Sequence, residues 1–109
     1  MSCDPTKVIN KMYCFNETPL FLAAMFGELK IIKMLVKFDV DLDALAGYHN
    51  ETALAVAATF GYKDVVEYLT EMGASINIED GYGRTALYWA IWFHEEYIAD
   101  YLKDKRAIV

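Results

Sequence analysis

The sequence predicts an all-α solenoid, a stack of helix-turn-helix units joined by β-hairpin fingers. Three observations carry that prediction. Thr18, Thr52 and Thr85 recur 34 and 33 residues apart, each at the head of a short apolar run. Gly27 and Gly61 each follow their threonine by nine residues, and the strings "AAMFGE", "AATFGY" and "AIWFHE" return a phenylalanine to one phase of the repeat. A fixed period of this length signals stacked modules rather than a single globular core.

Each element follows from local chemistry. A threonine hydroxyl caps the N-terminus of a helix, and Pro19 after Thr18 suits the first helical position, where its missing N–H costs nothing. Gly27 and Gly61 fall about two turns later, where a residue in the left-handed region ends one helix and lets a second leave antiparallel. The second helices carry the apolar sets Leu29, Ile31, Ile32, Leu35, then Val65, Val66, Leu69, then Ile98, Ala99, Leu102, with Lys30, Lys33, Lys37, Asp64, Glu67 and Asp100 on the wet side.

Between the hairpins lie "FDVDLDALAGYHNE" and "MGASINIEDGYGR". Gly73 suits a helix C-cap, and Gly81 with Gly83 suits a tight turn, so these stretches read as extended fingers. Ile9 and Asn10 precede Thr18 much as Ile76 and Asn77 precede Thr85, so the chain opens on a finger without its helices. The expected organisation is one domain over 1–109: a partial finger (1–17), a first repeat (18–51), a second (52–84) and a closing repeat (85–109). No helix pair precedes Leu20, Phe21, Leu22, Leu29 and Ile32, so residues 1–17 have to cover whatever these expose.

Composition narrows the function. Sixteen acidic residues against ten basic ones give 109 residues a net charge of −6, with the Lys and Arg scattered. A nucleic-acid partner is disfavoured, because a phosphate track needs clustered cations. Cys3 and Cys14, the two cysteines, form no CxxC pair, which fits free thiols in a reducing, intracellular setting, cytoplasmic or nuclear. No apolar run approaches the roughly 20 residues of a membrane span. His49 and His94 have no acidic partner at a metal-binding or acid-base spacing, and no phosphate loop or nucleophile elbow is present. The expectation is therefore a protein that is not an enzyme and carries no metal or cofactor.

The segments "TPLFLA", "TALAVA" and "TALYWA", with "GASIN" and the Asp80 to Gly83 turn, resemble the ankyrin repeat. The resemblance spans about Lys7 to Lys103. It departs at Asp39, where the family prefers glycine, at one extra residue in the first full finger, and at His94 in place of the mid-unit glycine. The polar residues Glu95, Glu96, Asp100, Lys103, Asp104 and Lys105 resemble a closing repeat.

The resemblance implies a protein-protein interaction module, an adaptor or an inhibitor, with a concave face formed by finger tips and the ends of the first helices. By position it places Met25, Phe26, Thr59, Phe60, Trp92 and Phe93 on that face, with Phe15, Tyr48, His49 and Tyr82 at the finger tips. The three phenylalanines are expected to line up as a ladder, rimmed by Glu17, Glu28, Glu51 and Glu95, which suits a basic or amphipathic partner. The alternative for these aromatics is core packing, and the alternatives for the whole chain are self-association, as a homo-dimer or through its bare amino end, and a fragment of a longer array of such repeats. Asn77, with Leu69 eight residues upstream, occupies a position that is hydroxylated in some members of the family.

Overall fold

The computed structural model describes residues 18–107. The expected partial finger, with Phe15 and both cysteines, lies outside the described residues. The described residues form three helical hairpins: α1 (Pro19–Met25) with α2 (Leu29–Lys37), α3 (Ala53–Thr59) with α4 (Lys63–Glu71), and α5 (Ala86–Trp92) with α6 (Glu96–Asp104).

The threonines cap as their chemistry dictates. The Thr18 hydroxyl oxygen accepts from the Phe21 N–H at 3.1 Å, Thr52 from Ala55 at 3.1 Å, and Thr85 from Tyr88 at 3.4 Å. Pro19 holds the first position of α1. Gly27 and Gly61 end their helices at φ +70° and +80°, and His94 occupies the third such turn at φ +59°. A side chain is strained in that region, so the third turn carries a local cost that the first two avoid.

The two turn glycines also mark where neighbouring units touch. A Cβ on Gly27 would lie 2.7 Å from the Tyr62 ring, and one on Gly61 would lie 2.7 Å from the Glu95 carboxylate. In each case the residue that follows the next unit's left-handed or glycine turn packs across the glycine before it. Period and contact therefore have the same cause.

The inner helices stack with α3 between α1 and α5, and the outer helices with α4 between α2 and α6. Every residue of α3 from Ala53 to Ala58 is buried, and four of these six are alanine, which lets the flanking helices approach closely. Ile32, Leu54, Leu69, Leu87, Ile98 and Leu102 fill the space between inner and outer layers. Each such side chain contributes about 1.5–3 kcal/mol of transfer free energy. Polar contacts tie the outer layer together: the Tyr101 and Thr70 hydroxyls lie 2.8 Å apart, the Tyr97 phenol donates to Glu67, and the Lys63 ammonium sits 5.0 Å from the Tyr97 ring centroid.

The fingers are hairpins of one rung each. In the first, Ala46 and Glu51 exchange both backbone hydrogen bonds, at 2.9 and 2.8 Å. In the second, the Asp80 N–H donates to the Arg84 carbonyl at 2.9 Å, while the Arg84 N–H donates to the Asp80 side chain at 3.0 Å. Among the described residues no longer ladder forms; in the second finger the Tyr82 and Arg84 N–H groups go to the Asp80 side chain instead. Gly83 has φ +76°, as a turn glycine should, whereas Gly81 serves close approach: its N–H donates 2.7 Å to the His49 carbonyl of the first finger. Asp43 joins the same two segments lower down, accepting from the Ser75 N–H and hydroxyl at 2.8 Å each.

Leu20, Phe21 and Ile32 are buried, and Leu22 and Leu29 half-buried. The exposed residues are instead Ile31, Met34 and Phe38, at 44%, 55% and 77%. Ile31, read as part of the apolar stripe, corresponds to Val65 and Ile98, which are 0% and 2% exposed because α2 and α4 cover them. No described outer-layer helix precedes α2, and its equivalent surface is exposed.

Candidate functional site

The inner helices and the two fingers enclose a groove of about 540 Å³. Phe21, Gly47 and Val56 form its buried floor. Met25, Thr59, Phe60, Trp89 and Phe93 line the helical wall, and Tyr48, His49 and Tyr82 line the finger wall. Glu51 and Arg84 stand at the finger bases. Both immediately precede a capping threonine, so the repeat itself places them at matching heights one unit apart.

Seven of the ten residues expected at the partner face therefore meet in one groove: Met25, Tyr48, His49, Thr59, Phe60, Tyr82 and Phe93. Phe26 and Trp92 are exposed but do not line it, and Phe15 lies outside the described residues. The three phenylalanines are 65%, 54% and 46% exposed, which sets aside the core alternative for them. Phe60 pairs with Tyr62 at 6.5 Å and Phe93 with Trp89 at 6.0 Å, and among the described residues no two of the three phenylalanines pair. The reason is that each is the C-cap of its helix, where the chain turns and the ring follows its own neighbours.

Five lining residues escaped the positional argument: Phe21, Gly47, Val56, Arg84 and Trp89. Trp89 precedes Phe93 by four residues, as Val56 precedes Phe60, and that spacing puts each pair on one helix face. The same rule applied to the sequence finds them. Phe21 sits deep because the first finger passes over it at a glycine: a Cβ on Gly47 would come within 2.8 Å of the Phe21 ring.

The electrostatics of the groove are mixed rather than uniformly acidic. Burial pushes the Glu51 carboxyl above the usual carboxylate range; nearby His49 lowers it and Asp80 raises it further. No described side chain donates to that carboxylate. Arg84 is likewise without an ion pair among the described residues, and its guanidinium lies over three rings, 4.9 Å from Tyr88, 5.5 Å from Trp89 and 5.6 Å from Tyr82. Asp80 is fully engaged, accepting from Tyr82 and Arg84 N–H groups at 2.8 and 3.0 Å and from the Trp89 indole at 2.8 Å. Of the other expected rim carboxylates, Glu28 is exposed, Glu95 packs on Gly61, and Glu17 lies outside the described residues. Asn77 is exposed on the second finger.

Among the described residues no group of His, Cys, Asp or Glu is arranged to hold a metal ion, and no helix is long and apolar enough to cross a membrane.

Against known families, residues 2–80 and 50–109 match the model for ankyrin repeats, in three copies. The chain belongs to the ankyrin-repeat family. Ankyrin repeats generally act as protein-protein interaction modules. No curated protein matches the sequence.

Proposed function

We propose that this ankyrin-repeat chain is a binding module that docks a segment of a partner protein in the groove between its inner helices and fingers, as an adaptor or as an inhibitor that occludes the partner. The observation that carries this reading is the groove itself. Six aromatic rings, from Phe21, Tyr48, Phe60, Tyr82, Trp89 and Phe93, converge on it without filling it. Exposed aromatic surface on a small domain marks an interface, where Tyr and Trp supply most anchors. The half-buried Glu51 favours a partner segment that is basic or amphipathic.

Selection of linear peptides from a random display library on the wild type, with counter-selection on Phe60→Asp, tests the reading. Peptides that bind the wild type and lose the variant support it. Peptides that bind both equally place the binding surface elsewhere.

A second reading is self-association through α2, favoured by the exposed stripe Ile31, Met34 and Phe38. The helix carries Lys30, Lys33 and Lys37 and no acid, with Asp39 and Asp41 just beyond its end. Antiparallel pairing of two copies sets Lys30 of one opposite Asp39 of the other. Separately, the family position of Asn77 makes it a substrate candidate for an asparaginyl hydroxylase, and the mass of the Asn77 peptide after incubation with one decides that point.

A further inference from the structure

We infer that Glu51 and Arg84 give the groove two opposite poles, which dock a partner segment carrying a cationic side chain on Glu51 and a carboxylate on Arg84. This rests on the binding reading above and deepens it.

The geometry supplies the spacing. Glu51 and Arg84 directly precede α3 and α5, which pack side by side. Neighbouring helix axes lie about 8–10 Å apart, so the backbone positions that carry the two poles are set about that far apart. An extended peptide rises about 3.3 Å per residue, so side chains about three residues apart span the two poles. Alternate side chains of such a strand point to opposite faces, but the long, flexible stems of Lys, Arg and Glu reach round from a neighbouring position.

The state of the two groups supplies the attraction. The Glu51 carboxylate is half-buried beside aromatic walls, has no bonded partner among the described residues, and is held above its ordinary pKa by that burial. A bound ammonium or guanidinium replaces the lost hydration and relieves that cost. His49 and Asp80 are the charged or titratable neighbours that act on it, with opposite effects. Arg84 is prepared differently. Three aromatic rings hold its guanidinium in place while leaving it without a carboxylate among the described residues, so an incoming carboxylate meets an ordered donor fork. The two poles also fix the direction of the bound segment, since a chain reversed in the groove sets like charges against each other.

The test uses two synthetic tetrapeptides of opposite order, acetyl-Lys-Val-Val-Glu-amide and acetyl-Glu-Val-Val-Lys-amide, with acetyl-Gln-Val-Val-Gln-amide as the uncharged control. Their binding is followed by the backbone amide shifts of Glu51, Tyr82 and Arg84. One of the two charged orders is expected to bind about tenfold more tightly than the other and than the control. Exchanging the poles in the double variant Glu51→Arg, Arg84→Glu is expected to reverse the preferred order. Equal binding of all three peptides, or an unchanged preference after exchange, overturns the inference. Peptides recovered from the library selection provide the second arm. If they lose affinity on Phe60→Asp yet bind Glu51→Gln and Arg84→Gln as well as wild type, the groove reading stands and the two poles fall. If they are indifferent to Phe60→Asp as well, both readings fall together.

Discussion

The Trp89 indole N–H donates to the Asp80 carboxylate at 2.8 Å, tying the inner helix of the third unit to the finger turn before it. The same carboxylate closes the turn by accepting from the Tyr82 and Arg84 N–H groups. One buried side chain thus shapes the finger, positions the indole in the groove wall and places Arg84.

Removing it should cost more than its size suggests. Asp80→Ala leaves three donors without their acceptor, two of them backbone, and should lower stability by about 2–3 kcal/mol. Asp80→Asn keeps one oxygen for the turn but turns an amide donor toward the indole, and should fall between. Urea titration followed by far-ultraviolet circular dichroism checks the order, and the indole N–H resonance of Trp89 should shift in both variants. Equal stability of all three proteins would mean that water replaces the carboxylate at no cost.

The turn glycines make a ranked prediction. Gly27→Ala meets both the left-handed backbone and the rigid Tyr62 ring, whereas the Cβ at Gly61 meets the mobile end of Glu95, and at Gly73 it meets open space at φ +101°. Backbone strain of about 1–2 kcal/mol is common to all three, so the loss should be greatest at Gly27 and smaller at Gly61 and Gly73. Tyr62→Ala in the Gly27→Ala background should recover part of the difference. His94→Gly runs the argument backwards and should raise stability by about 1 kcal/mol, because it releases a non-glycine residue from φ +59°. Thermal melts of the wild type and the five variants test the ranking.

The period was legible in Thr18, Thr52 and Thr85 because capping is a local contract between a hydroxyl and an amide three residues on, which sequence displays directly. The left-handed turns were legible for the same reason at Gly27 and Gly61. Which tryptophan faces the groove was not. Successive helical residues differ by about 100° in direction, so Trp89 and Trp92, three apart, point about 60° apart, and that difference decides between the groove wall and open solvent. Trp92 stacks on Tyr88 at 6.2 Å, outside the groove lining, while Trp89 is held inside it by Asp80. That bond joins residues nine apart, at a spacing no periodic pattern announces. The rim was misjudged for a related cause: Arg84 shares the repeat phase of Glu51, but a period fixes the place of a side chain and not its charge.

Glu51 gives stability a pH dependence of definite sign. Its folded pKa is raised above the unfolded one, first by burial, so the folded state holds the proton more tightly. The contribution favours folding below the unfolded pKa and is lost as pH rises through the folded value. Glu51→Gln should therefore be more stable than wild type near neutral pH, with the gap closing below about pH 4. Urea midpoints of the two proteins across that range provide the check. A constant gap would show that the carboxyl titrates alike in both states.

The stripe Ile31, Met34 and Phe38 calls for a measurement of its own, because Val65 and Ile98, the counterparts of Ile31 in the next two units, are buried. A second copy seated there would bury three apolar side chains per protomer and pair Lys30 with the partner copy's acidic loop. Light scattering over a concentration series should then show a mass rising toward a dimer, and Met34→Glu should hold it at the monomer without lowering the melting temperature, since Met34 is 55% exposed. The contact is small by the measure of stable interfaces, which bury about 1,200–2,000 Å², so dissociation in the micromolar range or weaker is expected. Added salt should loosen the pair further if lysine and aspartate meet across it, because exposed charges are screened within about 8–10 Å at physiological ionic strength. A wild type that stays monomeric at every concentration removes the self-association reading and leaves the groove as the binding surface.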